Sequence, residues 1–149
     1  MNKKGLIFII SFLVLGAVLL TVLIIRQRTF LISNRGVSSL QTQEKEIQGV
    51  GVLVTPTVQN KEVIFDISMQ SHTVELAEDL MQISELKDQS GKVYKALAWE
   101  GAPAGGHHRA GLLKFILDSK PREITLTIRQ FRAEDLIFSW EVNNSVLGR

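Results

Sequence analysis

The chain of 149 residues contains no cysteine, only three prolines and a single tyrosine. Without cysteine it can form no disulfide bond, no thiolate metal ligand and no cysteine nucleophile. It also lacks a nucleophile elbow, a phosphate-binding loop and a His-Glu-x-x-His zinc motif. The paired carboxylates Glu78-Asp79 and Glu134-Asp135 fall in segments that we expect to be surface loops. The sequence therefore predicts no catalytic residue and no enzyme.

Clustered positive charge is missing from most of the chain. Residues 1–46 contain six lysines and arginines against two glutamates, whereas residues 47–149 contain eleven against thirteen aspartates and glutamates. Nucleic-acid binding depends on clustered cationic side chains that meet phosphates. We therefore expect no nucleic-acid partner. The basic excess near the amino terminus suits anionic lipid head groups instead.

The sequence does contain a long uncharged apolar run, Leu6 to Ile25, which lies between Lys3-Lys4 and Arg26. Twenty helical residues span about 30 Å, the thickness of the hydrocarbon core of a bilayer. The run predicts one transmembrane helix over residues 6–25, so the membrane is the first expected partner. A buried core helix is disfavoured because the run is apolar on every face.

A cleaved signal peptide is the alternative to this anchor. The run is longer than the roughly 7 to 15 residues of a signal-peptide core, and Arg26 follows it in place of a small-residue cleavage site. Both features favour an uncleaved anchor. Basic residues flank the run on both sides, so the positive-inside rule gives almost no preference between the two membrane orientations. We expect residues 1–5 to form a cytoplasmic tail, because the remainder is predicted to be a β domain of a type frequent outside the cytoplasm.

The residues after the run divide into a connector and one domain. Residues 26–46 are predicted to be a juxtamembrane segment and linker, since Ser33 to Glu46 are polar with only two large apolar side chains. Residues 47–149 have the usual size of a single domain. The sequence thus predicts a single-pass protein of the cell membrane with an extracytoplasmic carboxy-terminal domain.

In this domain apolar residues recur with period two, as in strands that bury one face. Asp88-Gln89-Ser90-Gly91 is a strong hairpin-turn signal between two apolar stretches, Met81 to Leu86 and Val93 to Trp99, and the segment Ala77 to Leu80 before them suits a helical turn. Seven or eight short strands separated by turns are typical of an antiparallel sandwich. We predict an all-β fold, an immunoglobulin-like antiparallel β-sandwich preceded by one N-terminal transmembrane helix. The alternating runs are Val50-Val52-Val54, Val63-Phe65-Ile67-Met69, Ile124-Leu126-Ile128 and Leu136-Phe138-Trp140-Val142.

The candidate functional residues are the three histidines, His72, His107 and His108, each just beyond a predicted strand end. Strand ends of a sandwich gather at two poles, so loops distant in sequence can meet there. If these loops meet, neutral imidazoles would suit copper or zinc, with Glu75 or Glu100 as an additional ligand. Adjacent side chains of an extended segment point to opposite sides, so His107 and His108 would not naturally share one ion.

Two other interpretations of the histidines stay open. Loop histidines often only hydrogen-bond backbone carbonyls, in which case the domain is a structural or protein-interaction module of a membrane assembly. His107, His108 and Arg109 could instead bind an anion, since imidazolium and guanidinium both donate to carboxylate or phosphate. The sequence therefore predicts a binding module, with either a transition metal or a protein partner at the membrane.

Four other large side chains are candidates either for the core or for contact with a ligand. Met69 and Trp140 keep phase with their strands and Met81 opens an apolar stretch, so we expect all three to be buried. Trp99 ends a predicted strand, where it either joins the core or walls the histidine loop. None of the four is expected to bind a ligand or copper on this pattern alone.

Several short segments carry a further resemblance. They are Val63-Ile64-Phe65-Asp66-Ile67, Ser71-His72-Thr73-Val74-Glu75-Leu76, Leu86-Lys87-Asp88 with Gly91-Lys92-Val93-Tyr94, Trp99-Glu100-Gly101, and Gly105-Gly106-His107-His108-Arg109 with Gly111-Leu112-Leu113-Lys114-Phe115. Over residues 60–142 the chain resembles a recurrent uncharacterised extracytoplasmic domain of prokaryotic membrane proteins. The resemblance implies a prokaryotic origin and an outward-facing domain, and it assigns no catalytic residue.

Overall fold

The computed structural model of the chain describes residues 37–142. The predicted transmembrane helix, residues 6–25, lies outside the described residues. Within the described part, no helix is long and apolar enough to cross a membrane. Ten strands and one short helix follow one another there. They are β1 (Val37–Ser39), β2 (Gln43–Ile47), β3 (Val50–Gln59), β4 (Glu62–Ser71), α1 (Leu80–Ile83), β5 (Ser84–Asp88), β6 (Val93–Lys95), β7 (Ala98–Gly101), β8 (His108–Ile116), β9 (Glu123–Phe131) and β10 (Glu134–Glu141).

The strands form two antiparallel sheets, as the alternating pattern predicts. The six-stranded sheet has the order β1-β3-β4-β8-β7, with β2 also paired to β3. The four-stranded sheet has the order β10-β9-β5-β6. The chain changes sheet between β4 and β5, between β6 and β7, and between β8 and β9. The prediction of an all-β, two-sheet antiparallel fold is therefore confirmed.

The core lies where the inward faces of the strands meet. Val63, Phe65 and Ile67 are completely buried in β4, and the outward residues between them are not. The Phe65 ring contacts Phe115 edge-on at a centroid distance of 5.7 Å and contacts Trp140 of the other sheet at 5.6 Å. Burying each such side chain contributes about 1.5–3 kcal/mol. The predicted burial of Met69 and Trp140 is confirmed at 2% and 6% exposure.

The six-stranded sheet extends into residues assigned to the connector by composition. Val37–Ser39 and Gln43–Ile47 pair with opposite ends of β3 along the same edge. Only Ile47 of β2 is buried, and the strand is otherwise polar. An edge strand can form with few apolar residues because its neighbour supplies the backbone hydrogen bonds. Its charged side chains discourage pairing with a further strand.

Three local expectations need correction. The helical turn predicted at Ala77 to Leu80 instead begins at Leu80, as α1, and is capped by Asp79, whose Oδ1 accepts a hydrogen bond from the Met81 amide at 3.0 Å. Met81 is 38% exposed rather than core, because Leu80 is the buried residue of this helix. The apolar stretch Val93 to Trp99 forms two strands in different sheets instead of one. The hairpin turn at Asp88 to Gly91 is confirmed between β5 and β6.

Side chains bridge the gap between the two sheets along one side. Gln43 of β2 donates its Nε2 to the carbonyl of Ser139 in β10 at 2.7 Å. Trp140 of β10 donates its indole Nε1 to the carbonyl of Gln41 at 2.7 Å. These two bonds join the edges of the two sheets, and we call this pair of contacts the seam.

Candidate functional site

The two histidine segments meet at one pole of the sandwich because β4 and β8 pair along their whole length. Gln70 and His108 are cross-strand partners, and the amide of Ser71 donates to the carbonyl of His107 at 2.8 Å. His72, the next residue, therefore lies beside the backbone of His107. The sequence left the meeting of these segments open, and the structure brings them together.

Beyond the strands, backbone hydrogen bonds continue to hold the two loops against each other. The amide of Leu76 donates to the carbonyl of Gly106, and the amide of Gly105 donates to the carbonyl of Leu76, both at 2.8 Å. Gly105 adopts a φ of +116°, which only glycine takes without strain. The buried Ser71 hydroxyl accepts from the amide of Val74 at 3.1 Å and shapes the turn after β4. The two loops form one backbone-bonded unit, which we call the pole loops.

The imidazoles themselves are exposed. His107 Nδ1 lies 3.0 Å from the carbonyl oxygen of Val74. When Nδ1 carries the proton it donates to that carbonyl and leaves Nε2 as the free acceptor of the ring. The imidazoles of His72 and His108 are exposed and have no hydrogen bond to the residues that the structure describes. The histidines thus belong to one surface but are not bonded to one another.

The proposed carboxylate ligands lie in different surroundings. Glu75 is on the pole loops, where its Oε1 would be 3.2 Å from a Cβ added at Gly105. Glu100 lies on β7 and pairs with Lys114 at 2.8 Å. Across residues 37–142 no group of three or more histidine, aspartate and glutamate side chains is placed to hold a metal ion. The ligand set His72, His107, His108, Glu75 and Glu100 stays a prediction.

Arg109, the residue after the histidine pair, is the buried centre of this pole. Its side chain is only 5% exposed. Its Nε donates to the carbonyl of Ala102 at 3.1 Å and its Nη1 donates to the carbonyl of Glu78 at 2.5 Å. Burial lowers the pKa of the guanidinium, while the nearby charges of Asp79 and Glu78 act in the opposite direction. This geometry removes Arg109 from the anion-site interpretation, because its guanidinium is directed at internal carbonyls.

Trp99 forms the wall beside Arg109. The guanidinium carbon lies 5.1 Å from the centroid of the indole, within the range of a cation–π contact. The indole lies against two glycines, Gly101 and Gly111, where there is no room for a side chain. A Cβ added at Gly101 would come within 2.9 Å of Trp99 Cζ2, and one added at Gly111 within 2.8 Å. Trp99 is half-buried and packs against the core. It therefore both joins the core and walls the loop that precedes the histidines.

Glu78 connects this centre to the turn between β9 and β10. Its Oε1 pairs with Arg132 Nη1 at 3.3 Å, while its backbone carbonyl accepts from Arg109. Its other oxygen, Oε2, is buried and has no hydrogen-bond partner among residues 37–142. Three loops, those at residues 72–79, 102–107 and 131–134, are thereby tied together through Arg109, Glu78 and Arg132.

The alternation of inward and outward residues along β8 predicts the interior position of Arg109. Arg109 alternates with Gly111, Leu113 and Phe115, which all lie on the inward side of β8. An arginine is ordinarily assigned to the surface, and this assumption hid the signal. The pole as a whole is a rigid polar surface with three exposed imidazoles and a buried cationic support. Comparison of the chain with protein-family models, with curated proteins and with solved structures finds no match.

Proposed function

We propose that this chain is a single-pass membrane protein whose carboxy-terminal domain acts outside the cytoplasm as a protein-interaction module. The observation that carries the binding role is the rigid pole, where Arg109 donates to two loops and supports a surface of exposed side chains. Loops held by a sandwich scaffold are where binding residues are most often placed. The partner we propose is another protein of the same membrane surface.

The anchor rests on the apolar run Leu6 to Ile25 and its basic flanks. The extracytoplasmic position rests on the resemblance of residues 60–142 to outward-facing prokaryotic domains. We also propose that the two-sheet fold is immunoglobulin-like, in keeping with about a hundred residues of short antiparallel strands that change sheet three times. No catalytic role is included, since the buried charged groups Asp88 and Arg109 hold the chain together.

A second candidate function is binding of copper or zinc. The observation that favours it is the backbone pairing that places His72 next to His107 and His108 at one pole. The bond from His107 Nδ1 to the Val74 carbonyl also resembles the way that metal-binding histidines are oriented through their second nitrogen. A site of this kind would need two histidines from the pole loops, with Glu75 as the nearest carboxylate.

Membrane topology is the first test. Because the chain has no cysteine, single replacements Ser119→Cys in the domain and Asn2→Cys in the tail each provide one unique label site. A membrane-impermeant maleimide added to intact cells should modify the Ser119→Cys protein, and should modify the Asn2→Cys protein only after lysis. The reverse pattern would place the domain in the cytoplasm and overturn the proposal.

The binding role is tested at the pole itself. A photo-reactive amino acid at His72 should yield one discrete cross-linked protein in intact cells, whereas the same group at Lys87, which is exposed on the four-stranded sheet, should not. Equal adducts at both positions would argue against a specific partner at the pole.

Titration of the purified chain with Cu(II), Cu(I) and Zn(II) tests the second candidate. One-to-one binding that raises the melting temperature and is lost in both His72→Ala and His107→Ala/His108→Ala would establish the metal site, because a ligand specific for the native state stabilises it. Binding that is absent, or equal in all three proteins, would exclude it.

A further inference from the structure

The outer faces of the two sheets carry charge in different ways. On the four-stranded sheet, Glu85 pairs with Lys95 at 2.6 Å and with Arg129 at 2.5 Å, and Arg129 also reaches Asp135 at 3.6 Å. This ladder crosses all four strands. Its hydrogen bonds, first from Lys95 and then from Arg129, lower the pKa of Glu85. Most charges at the centre of this face are therefore paired within the domain, while Glu123 and Glu141 at one end of it have no ion pair with the residues that the structure describes.

The outer face of the six-stranded sheet carries the Glu100–Lys114 ion pair and, beside it, an excess of negative charge. Glu44 and Glu46 of β2 lie on this face opposite Leu53 and Gly51, and Glu62 and Asp66 lie on it in β4. None of these four carboxylates has an ion pair with any of the residues 37–142. We call this surface the acidic face.

Apolar side chains lie among these carboxylates. Leu53, Ile64 and Leu112 are half-buried on the acidic face, and Ile116 on the same face is 56% exposed. The register places Asp66 beside Leu112 in the neighbouring strand. A surface that combines exposed apolar groups with a net charge of one sign is typical of a protein-interaction site.

We propose that the acidic face docks a protein whose contacting surface presents lysine or arginine side chains around apolar residues. This inference rests on the interaction role proposed above and names a second surface and the chemistry of its partner. A cationic partner would neutralise the four unpaired carboxylates while covering Ile116 and its neighbours. A second copy of the chain is disfavoured there, because two acidic faces would bring like charges together.

The test uses the full chain in nanodiscs of zwitterionic lipid. The probe is a short synthetic peptide of alternating lysine and valine, with a glutamate–valine peptide as the charge-reversed control. A fluorophore attached through Ser68→Cys reports on the acidic face, and the same fluorophore attached through Ser139→Cys reports on the outer face of the four-stranded sheet. Both serines are exposed strand residues, and no other thiol is present. Empty nanodiscs correct for binding of the peptide to lipid.

We expect the cationic peptide to change the fluorescence of the Ser68→Cys label alone, and the anionic peptide to change neither label. Raising the salt to about 0.3 M should weaken the binding, because ions screen exposed charges. The variant Glu44→Gln/Glu46→Gln/Glu62→Gln/Asp66→Asn should bind about tenfold more weakly or worse, as four exposed ion pairs would be lost.

Three results would overturn the inference: an equal response of both labels, unchanged affinity in the neutralised variant, or self-association of the chain that the neutralised variant abolishes. If the fourfold variant does not fold, Glu62→Gln/Asp66→Asn alone replaces it, with Glu123→Gln/Glu141→Gln as its matched control on the other sheet. Cross-linking at His72 is independent of these changes. A failure at the acidic face is therefore distinguishable from a failure of the role proposed for the pole.

Discussion

Arg109 and Trp99 share one hydrogen-bond acceptor. The guanidinium Nε and the indole Nε1 both donate to the carbonyl of Ala102, at 3.1 and 2.8 Å, while the guanidinium lies over the indole ring. The amide of the same residue donates to the carbonyl of Ala110 at 3.0 Å, so Ala102 fixes the loop after β7 to β8 through both its carbonyl and its amide. The Arg109–Trp99 pair adds side-chain bonds to the backbone bonds that hold the pole loops.

Replacing Arg109 should destabilise the domain more than any exposed arginine would. In Arg109→Ala the carbonyls of Ala102 and Glu78 lose a charged donor, so we expect the free energy of unfolding to fall by about 2–4 kcal/mol. Arg109→Lys should recover part of this loss, since one ammonium cannot reproduce the planar fork. Urea unfolding monitored by tryptophan fluorescence measures the change. The exposed Arg122→Ala provides the control and should stay within about 0.5 kcal/mol of the parent; an equal loss in both variants would contradict the assigned role.

A methyl group at Gly111 should be far more costly than one at Gly51. A Cβ at Gly111 would lie 2.6 Å from the Gly101 Cα and 2.8 Å from the Glu100 carbonyl, distances that backbone atoms cannot relieve cheaply. At Gly51 the nearest atom is the flexible Gln70 Cγ at 3.6 Å. We expect Gly111→Ala to lose about 1–3 kcal/mol or more and Gly51→Ala to lose little. Thermal melting of the two variants side by side tests this, and similar melting temperatures would refute it.

Acid should weaken the domain partly through Asp88. This carboxylate accepts from the Ser90 hydroxyl at 2.6 Å and from the Tyr94 hydroxyl at 2.9 Å. The hydrogen bonds, led by that of the Ser90 side chain, hold the pKa of Asp88 below its ordinary value of 3.8 despite its burial. A carboxylate with a lowered folded pKa adds stability above its unfolded pKa, and that stability is lost as the pH falls through the folded pKa.

The expected urea midpoint is therefore level from pH 7 to about pH 5 and falls below about pH 4. Asp88→Asn should lower the midpoint at pH 7 and reduce the decline in acid, because the variant has no charge to lose. Glu85, whose pKa is also lowered, keeps part of the decline in the variant. An unchanged acid decline in Asp88→Asn would show that other carboxylates account for it.

Trp140→Phe should loosen the seam while leaving the core packed. The variant keeps an aromatic ring against Phe65 but loses the bond from Nε1 to the carbonyl of Gln41. We expect the free energy of unfolding to fall by about 1–2 kcal/mol. Amide exchange should become faster in residues 40–47 and stay the same in residues 102–108. Faster exchange at the pole as well would mean that the indole supports the whole sandwich.

Much of the fold could be predicted because its long strands each bury one face. β3 and β4 show period two from end to end, β9 and β10 show it except at the turn that joins them, and each strand follows its predicted run. β2 could not be predicted, since Glu44 and Lys45 carry no sign of a buried face and the strand exists by pairing with β3. The switch of sheets after Lys95 was equally hidden, because neither glycine nor proline marks it.

The sequence named the three histidines as candidates but not the arrangement around them, and their role as a site stays a prediction. The histidines were identified from their loops, and pole geometry allowed them to meet. The pairing of strands depends on residues distant in sequence, and no local pattern predicts it. Only the structure shows that β4 and β8 are neighbours. The burial of Arg109 was not predicted, because an arginine is normally assigned to the surface even where the alternation of its strand places it inside. The contact of Trp99 with Gly101 and Gly111 could not be predicted, because it depends on the pairing of β7 with β8.

The edge strand β2 affects how the domain behaves at high protein concentration. Glu44, Lys45 and Glu46 are all exposed on this edge strand, and the adjoining edge strand of the other sheet, β10, has its Ser139 carbonyl occupied by Gln43. A neighbouring copy that tried to extend either sheet at the seam would meet the glutamates of β2 and an occupied backbone acceptor of β10. Copies of this domain should therefore not join their sheets along this side.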